Sequence, residues 1–175
     1  VMFSEICPCP IKSDLVKIAG EAQHYCVNHK KCPPQILGRF KHFISRKAMN
    51  IDGFGIETIE RLIKINELKN FSDIYALSKQ KLISIDRMAE KSAQNLLTAI
   101  KNSISQPFHK VLFSLGIRHV GETVALNLVN HFKTIENLMN ADFDQIISVN
   151  EIGDKIAESL IEYFDDIENK EEILR

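Results

Sequence analysis

One pattern recurs four times along the chain at intervals of 32 to 34 residues, and it constrains the fold more than any other feature. In each copy, two apolar residues stand three positions apart, a small residue follows the second, and buried-type residues come four and seven positions later. The copies are Ile51, Phe54, Gly55, Ile59 and Leu62; Ile85, Met88, Ala89, Ala93 and Leu96; Ile117, Val120, Gly121, Ala125 and Leu128; and Val149, Ile152, Gly153, Ala157 and Leu160. Repetition at this period predicts one supersecondary unit that is used several times.

The repeated unit is predicted to be two helices joined by a tight turn, with the small residue where the second helix begins. The four turns are expected at residues 51–55, 85–89, 117–121 and 149–153. A helix start exposes backbone N–H groups that have no partner within the helix, and this arrangement suits a phosphate. One alternative remains open, namely that the small residue lets helices pack closely. A tetratricopeptide array that binds protein has a similar period, but it needs aromatic and small residues at its own fixed positions, whereas this chain keeps its constant feature at the turn.

After Pro33 and Pro34 the sequence is typical of helices almost to its end. Apolar residues recur at steps of three and four, as at Ile36, Phe40 and Phe43, and almost no segment alternates with period two. We therefore predict a mainly α fold in which four helix–turn–helix units form one compact domain behind a small cysteine-rich segment.

All the cysteines lie within the first 32 residues, in two pairs. Because the chain shows no secretion signal, clustered thiols favour a tetrahedral zinc site over disulfides. A β-hairpin with a strand at 15–18, a turn near 20–21 and a strand at 24–25 would bring the pairs together. The predicted ligands are Cys7, Cys9, Cys26 and Cys32, with His24 and His29 as substitutes. The alternative is four free thiols.

Charge is distributed unevenly although the formal net charge is only −1. Residues 1–50 carry eight Lys or Arg against three acids, and residues 135–175 carry twelve acids against three bases. A polyanion is therefore expected to meet the front and middle of the chain. No apolar run approaches membrane-spanning length and no signal peptide is visible, so we expect a cytoplasmic protein with no membrane partner.

Several longer strings resemble the bacterial NAD-dependent DNA ligases. They are Cys32 to Gln35 (CPPQ), His42 to Met49 (HFISRKAM), Ile51 to Gly55 (IDGFG), Glu90 to Leu96 (EKSAQNL) and Leu115 to Thr123 (LGIRHVGET). The resemblance covers nearly the whole chain. It implies the end of an OB domain at 1–6, a four-cysteine zinc finger at 7–33 and a helix-hairpin-helix domain with four motifs at 34–175. The first cysteine pair is one residue shorter than the C-x2-C of that family.

The resemblance also implies a division of labour within a longer enzyme. The nucleotidyltransferase signature of the family, Lys-x-Asp-Gly, is missing: the sole Asp-Gly is Asp52-Gly53, and position 50 is Asn. The BRCT domain of the family is missing as well. We therefore expect no catalytic residue here and no activity of this piece alone. Zinc would be its structural metal, whereas NAD and Mg²⁺ would enter only through the N-terminal domains.

The function implied for this piece is binding of nicked duplex DNA without sequence preference, as the clamp of a ligase in replication and repair. The expected partners are the adenylation and OB domains of the same chain, in a monomer associated with the nucleoid. The candidate DNA-binding residues are Gly53, Gly55, Ala89, Gly116, Gly121, Gly153, Arg46, Lys47, Arg87, Lys91, Arg118 and His119. The first and third turns are expected to contribute most to DNA binding. Acidic Glu151 weakens the contribution of the fourth turn. The alternatives are a helix-hairpin-helix subunit of another repair complex and a helical protein-interaction module.

Overall fold

The computed structural model describes residues 5–17, 22–28, 30–85 and 88–175. The chain divides into two units, Val1–Lys41 and His42–Arg175. Helix α1 (Pro33–Ile44) contains this division, and the boundary predicted between residues 33 and 34 lies at the start of that helix.

The first unit contains a two-stranded antiparallel sheet, β1 (Leu15–Lys17) and β2 (His24–Cys26). Its register pairs Leu15 with Cys26 and Lys17 with His24, and an isolated bridge joins Ile6 to Asp14 just before β1. The predicted hairpin is therefore confirmed, while its predicted turn at residues 20–21 lies outside the described residues. This pairing brings the segment that contains Cys7 and Cys9 close to the strand that ends at Cys26.

The second unit is built from helices. They are α2 (Ile56–Lys64), α3 (Ser72–Tyr75), α4 (Lys79–Ser84), α5 (Glu90–Ser103), α6 (Phe108–Ser114), α7 (Glu122–Phe132), α8 (Ile135–Met139), α9 (Phe143–Ile147), α10 (Asp154–Asp165) and α11 (Ile167–Leu174). The prediction of a mainly α chain is confirmed. The helices α2, α5, α7 and α10 begin directly after the small residue of a copy. The first repeated turn precedes α2, and each of the other three lies between two of the helices named above.

The repeat separates into core positions and surface positions. Apart from the small residue at the helix start, its positions are buried, with Leu62, Leu128 and Leu160 fully inaccessible and Leu96 1% exposed; the one exception is the partly exposed Met88. The small residue at the helix start is exposed in all four copies. Burying one leucine side chain stabilises a fold by about 1.5–3 kcal/mol, so the buried positions account for why the pattern recurs. Burial does not explain the exposed small residue.

The helices from α6 to α11 share one apolar cluster. Its fully buried members include Leu112, Leu128 and Leu160, and Ile173 of α11 packs against it. Nearer the start of the unit, the rings of Phe43 and Phe71 stack with centroids 4.3 Å apart. This packing holds the repeated turns at the surface on rigid helices.

Candidate functional site

The four cysteines of the first unit meet at one point. Their Sγ atoms all lie within 4.8 Å of one another, and the Sγ atoms of Cys7 and Cys32 are 4.0 Å apart. Cys7, Cys9 and Cys32 are buried, and Cys26 is partly exposed. The predicted convergence of the two pairs is confirmed. His24 is not part of the group, and His29 lies outside the described residues.

Backbone hydrogen bonds place each pair. The Cys7 N–H donates to the Ser13 carbonyl at 2.8 Å, and the Lys12 N–H donates to the Cys9 carbonyl at 3.0 Å, so the chain reverses directly after Cys9. Lys12 takes a positive φ of 50° at this reversal. On the other side, the Cys32 N–H donates to the Asn28 carbonyl at 2.8 Å just before α1. The short Cys7-Pro8-Cys9 spacing therefore still directs both thiols inward.

These thiols have the spacing of a tetrahedral metal site. A Zn–S bond is about 2.3 Å long, so the sulfur atoms of a tetrahedral site lie about 3.8 Å apart. The 4.0 Å between the Sγ atoms of Cys7 and Cys32 fits this value. The other sulfur pairs lie within 4.8 Å, so they would need to move closer by about 1 Å at most. A disulfide needs about 2.05 Å, and all four cysteines are free thiols. The group can therefore hold a metal ion through four protein ligands, which leaves no position open for chemistry.

The pKa values of the Cys7 and Cys9 thiols are shifted in opposite directions. Burial raises the pKa of Cys9, but hydrogen bonds from the Cys7 thiol and from the Ile11 and Lys12 backbone outweigh it and bring the pKa to about 7. A hydrogen bond with the Cys9 backbone lowers the pKa of Cys7. Hydrogen bonds with the Cys9 thiol and the other two thiols, together with burial, outweigh it and raise the pKa of Cys7 to about 12. In the metal-free group, the thiolate is therefore favoured at Cys9 and the thiol at Cys7, and the thiolate is the form that binds a metal.

In the second unit, the repeated turns share one backbone geometry. We number them turns 1 to 4, at residues 51–55, 85–89, 117–121 and 149–153. The third residue has a positive φ in turns 1, 3 and 4, at Gly53, His119 and Glu151. Its equivalent in turn 2 is Arg87, which lies outside the described residues. In turns 2, 3 and 4 the fourth residue donates its N–H to the carbonyl of the first at 3.1 Å.

The helices that follow these turns begin without a side-chain cap. The N-cap residues are Gly55, Ala89, Gly121 and Gly153, each with extended backbone and no capping side chain. Other helices of the same unit are capped by side-chain oxygens, from Ser78, Thr134, Asp142 and Asp166. The four repeated helix starts therefore offer backbone N–H groups and the positive end of a helix dipole to an external acceptor.

The N-cap glycines are not explained by packing within the described residues. A Cβ built at Gly55, Gly121 or Gly153 meets no described heavy atom within 4 Å, and all three have a negative φ that any residue adopts. The alternative that glycine allows close helix packing fails at these positions. Glycine is a favoured N-cap residue, and it also leaves the helix start open to a group from outside, which a side chain would obstruct.

Two other candidate glycines have a local explanation. Gly53 has a φ of +81°, which its turn requires. Gly116 has a φ of +69°, follows the end of α6, and would bring a Cβ 3.5 Å from the His42 ring. That ring is fixed by a 2.8 Å hydrogen bond between its Nε2 and the Phe113 carbonyl. Conformation therefore accounts for glycine at 53 and 116, whether or not a ligand touches them.

The candidate basic residues are placed beside the turns. Arg46, Lys47, Lys91, Arg118 and His119 are all exposed. Lys47 precedes turn 1, Lys91 lies in the first turn of α5, and Arg118 and His119 lie within turn 3. The Nζ of Lys47 lies 2.9 Å from Oε1 of Glu122, the first residue of α7, so the segment before turn 1 contacts the helix start of turn 3.

Acidic residues at the helix starts form a pattern that the sequence-based prediction missed. Glu90, Glu122 and Asp154 directly follow the small residue in three copies, whereas exposed Ile56 takes that place in the first. A negative charge at a helix start interacts favourably with the helix dipole and stabilises the helix, but it repels a phosphate. Lys47 pairs with Glu122, and the Lys79 Nζ lies 3.9 Å from Glu90. The sequence itself contains this signal, because an acidic residue directly follows the small residue in three of the four copies.

Turn 4 already makes hydrogen bonds of its own. The Glu151 carboxylate accepts a 3.0 Å hydrogen bond from the Asn127 side chain of α7. The N–H of Ile156 donates to the Gly153 carbonyl at 3.0 Å, so one N–H of this helix start is already used. Between turns 1 and 2, by contrast, lies an open groove of about 550 Å³ that reaches Gly53, Gly55 and Met88.

Comparison with known proteins agrees with this architecture. A family model described as a helix-hairpin-helix motif matches residues 110–173, which contain turns 3 and 4. The chain is 49% identical over 168 residues to a DNA ligase of Christiangramia forsetii, covering 95% of this chain and 25% of that protein. It is 46% identical to a DNA ligase of Bacteroides fragilis (86% and 23%) and 42% identical to one of Bacillus subtilis (85% and 22%).

The matched motif and the helix geometry define the class: the chain is a mainly helical protein that contains a helix-hairpin-helix motif at residues 110–173. More particularly, the chain is a homologue of a segment of bacterial DNA ligases, and it spans about a quarter of the length of the curated relatives it matches. Within the described ranges, no helix has the length and apolar character needed to cross a membrane.

Proposed function

We propose that this chain binds the sugar-phosphate backbone of nicked duplex DNA, without reading sequence, as the clamp of an NAD-dependent DNA ligase. The observation that carries the proposal is the open space at the N-cap glycines 55, 121 and 153. A residue type that neither φ nor internal packing requires is accounted for by a ligand that approaches the backbone closely. The homology to DNA ligases supports the choice of DNA as that ligand.

The proposed contact uses backbone groups. A phosphate oxygen accepts hydrogen bonds from N–H groups of the first helical turn, and the helix dipole adds to the attraction. Each contact is weak by itself, so several must act together. We propose that all four turns are helix-hairpin-helix motifs in one domain. Contacts to phosphate fix position on the duplex but carry no sequence information.

The four turns are proposed to contribute unequally. Turns 1 and 3 bind most strongly, because Gly55 and Gly121 are open and Arg46, Lys47, Arg118 and His119 lie beside them. In turn 2, Ala89 already carries a Cβ, and Arg87 and Lys91 are the proposed charged contacts. Turn 4 is mainly structural, supported by the tether from Asn127 to Glu151. Gly53, Gly116 and Gly153 are secondary contacts.

Zinc is the proposed metal of the cysteine group. Cys7, Cys9, Cys26 and Cys32 would hold it, and the ion would supply charge and cross-linking to a segment too small for a stable apolar core. The chain's own residues do the rest: the reversal after Cys9 and the β1–β2 register hold the thiols together. Residues 1–6 would complete an OB domain, 7–33 the zinc finger and 34–175 the DNA-binding domain.

In the parent enzyme, the adenylation and OB domains would seal the 5′-phosphate to the 3′-hydroxyl, using NAD and Mg²⁺. This segment would hold the nicked duplex while they act, in replication and repair. We propose a cytoplasmic monomer associated with the nucleoid. The segment alone would bind DNA without joining it.

The test is binding of fluorescently labelled nicked duplex, measured by anisotropy across a series of salt concentrations. With about four phosphates neutralised, the slope of log K against log salt should be about −3.6, a loss of about 150-fold between 50 and 200 mM salt. Affinity should not depend on sequence. A chain that binds no duplex even at the lowest salt would overturn the proposal and favour a protein-interaction role.

A further inference from the structure

The ion pair between Lys47 and Glu122 joins two elements of the proposed interface. Lys47 precedes turn 1, and Glu122 is the first residue of α7, directly after the open N-cap Gly121. Their Nζ and Oε1 atoms are 2.9 Å apart, with 75% of the Lys47 side chain and 49% of the Glu122 side chain exposed. The pair therefore lies in solvent, where a phosphate has access to both groups.

The carboxylate of Glu122 affects phosphate binding in two ways. It neutralises Lys47, and its own negative charge stands one residue from the N-cap at which a phosphate would be held. A similar arrangement recurs at turn 2, where Glu90 opens α5 and Lys79 lies 3.9 Å away. Exposed ion pairs contribute little to folding, so stability is a weak reason for the pair.

We propose that Glu122 limits the affinity for DNA: its carboxylate holds Lys47 in the free protein and is displaced when a phosphate binds. This inference rests on the proposed function, because the competing anion is a phosphate of the duplex backbone. Glu122 is thus a positioning residue that keeps the clamp releasable. Lys47 changes its partner from a carboxylate to a phosphate as the complex forms.

The test compares Glu122→Gln with the unchanged chain for nicked-duplex binding across a salt series. Glutamine keeps the shape and frees Lys47, so affinity should rise about 3- to 10-fold at low salt. The slope of log K against log salt should stay close to that of the unchanged chain, because Lys47 neutralises the same phosphate in both complexes. The matched control is Glu67→Gln, the same charge change in the Lys81–Glu67 pair outside the turns; it should change affinity by less than about twofold.

A double-mutant cycle with Lys47→Met separates the pair from general repulsion. In the Lys47→Met background, Glu122→Gln should gain at most half as much affinity as it gains beside Lys47, because only the direct repulsion of the phosphate is then relieved. A full gain in that background, or equal gains from Glu122→Gln and Glu67→Gln, would overturn the inference while leaving DNA binding itself in place. Failure of the unchanged chain to bind duplex at any salt would instead overturn the proposed function. Circular dichroism should show the same helix content in every variant.

Discussion

Replacing Gly121 by aspartate tests whether the open helix start of α7 receives a phosphate. The change should not unfold the domain. Gly121 has φ −83° and ψ 179°, and Asp142, which caps α9 with its own side chain, has φ −83° and ψ 175°. An aspartate at 121 therefore finds a backbone that an N-cap aspartate already adopts in this chain. Its Cβ meets no described heavy atom within 4 Å, so stability should stay level or rise by a few tenths of a kcal/mol.

The affinity for DNA should fall, although the stability of the domain does not. The new carboxylate takes the N–H groups offered to the phosphate and places a negative charge about 5 Å from it. Two unit charges at that distance repel by about 0.8 kcal/mol in bulk water and about 3.3 kcal/mol at an effective dielectric constant of 20. These limits correspond to a loss of roughly 4-fold to 200-fold in affinity, which added salt should reduce.

The assay pairs anisotropy with nicked duplex at low salt and thermal melting followed by circular dichroism. Gly121→Asn is the matched control, since asparagine caps equally well and carries no charge, so it should lose less affinity. Gly153→Asp makes the same change in turn 4 and should also lose less. The reasoning is refuted if Gly121→Asp melts like the original chain and binds within about twofold of it.

The remaining predictions concern the core and the metal. Leu128 is fully buried and Leu126 is 42% exposed on the same helix; Leu128→Ala should lower the free energy of unfolding by about 2–5 kcal/mol, and Leu126→Ala by less than about 1 kcal/mol. Urea titration measures both, and equal losses would contradict the assigned burial. A strong chelator should release one zinc ion per chain and melt the β1–β2 segment. Metal analysis and proteolysis of residues 7–32 would show this, and a metal-free chain with that segment intact would contradict a zinc role.

Much of the local structure follows from the sequence because its causes are local. Apolar residues at helical spacing predicted the helices of the repeat, such as α7 (Glu122–Phe132) after Gly121, since one face of a helix is set by residues a turn apart. The small residue of each copy marked a helix start for the same reason. The cysteine group was predictable because its members are few, chemically distinctive and close in sequence.

The contacts between elements needed the tertiary structure. The pairing of Lys47 with Glu122 joins residues 75 positions apart, and the cap that the Glu172 carboxylate provides to the Ser72 N–H joins residues 100 positions apart. Such contacts depend on helix packing, which no local periodicity encodes. The acidic residue after each small residue was visible in the sequence, but its effect depends on which lysine packing brings to it.

The sequence by itself determined that this protein is a repeated helical unit behind a cysteine cluster, because periodicity and residue chemistry act within a few turns of chain. Only the tertiary structure decided which positions of the repeat are buried and which are open. It showed open space beside Gly55, Gly121 and Gly153, left Ala89 exposed, and buried the remaining positions of the repeat except Met88. That distinction depends on which atoms of distant helices fill the surrounding volume, and packing alone settles it.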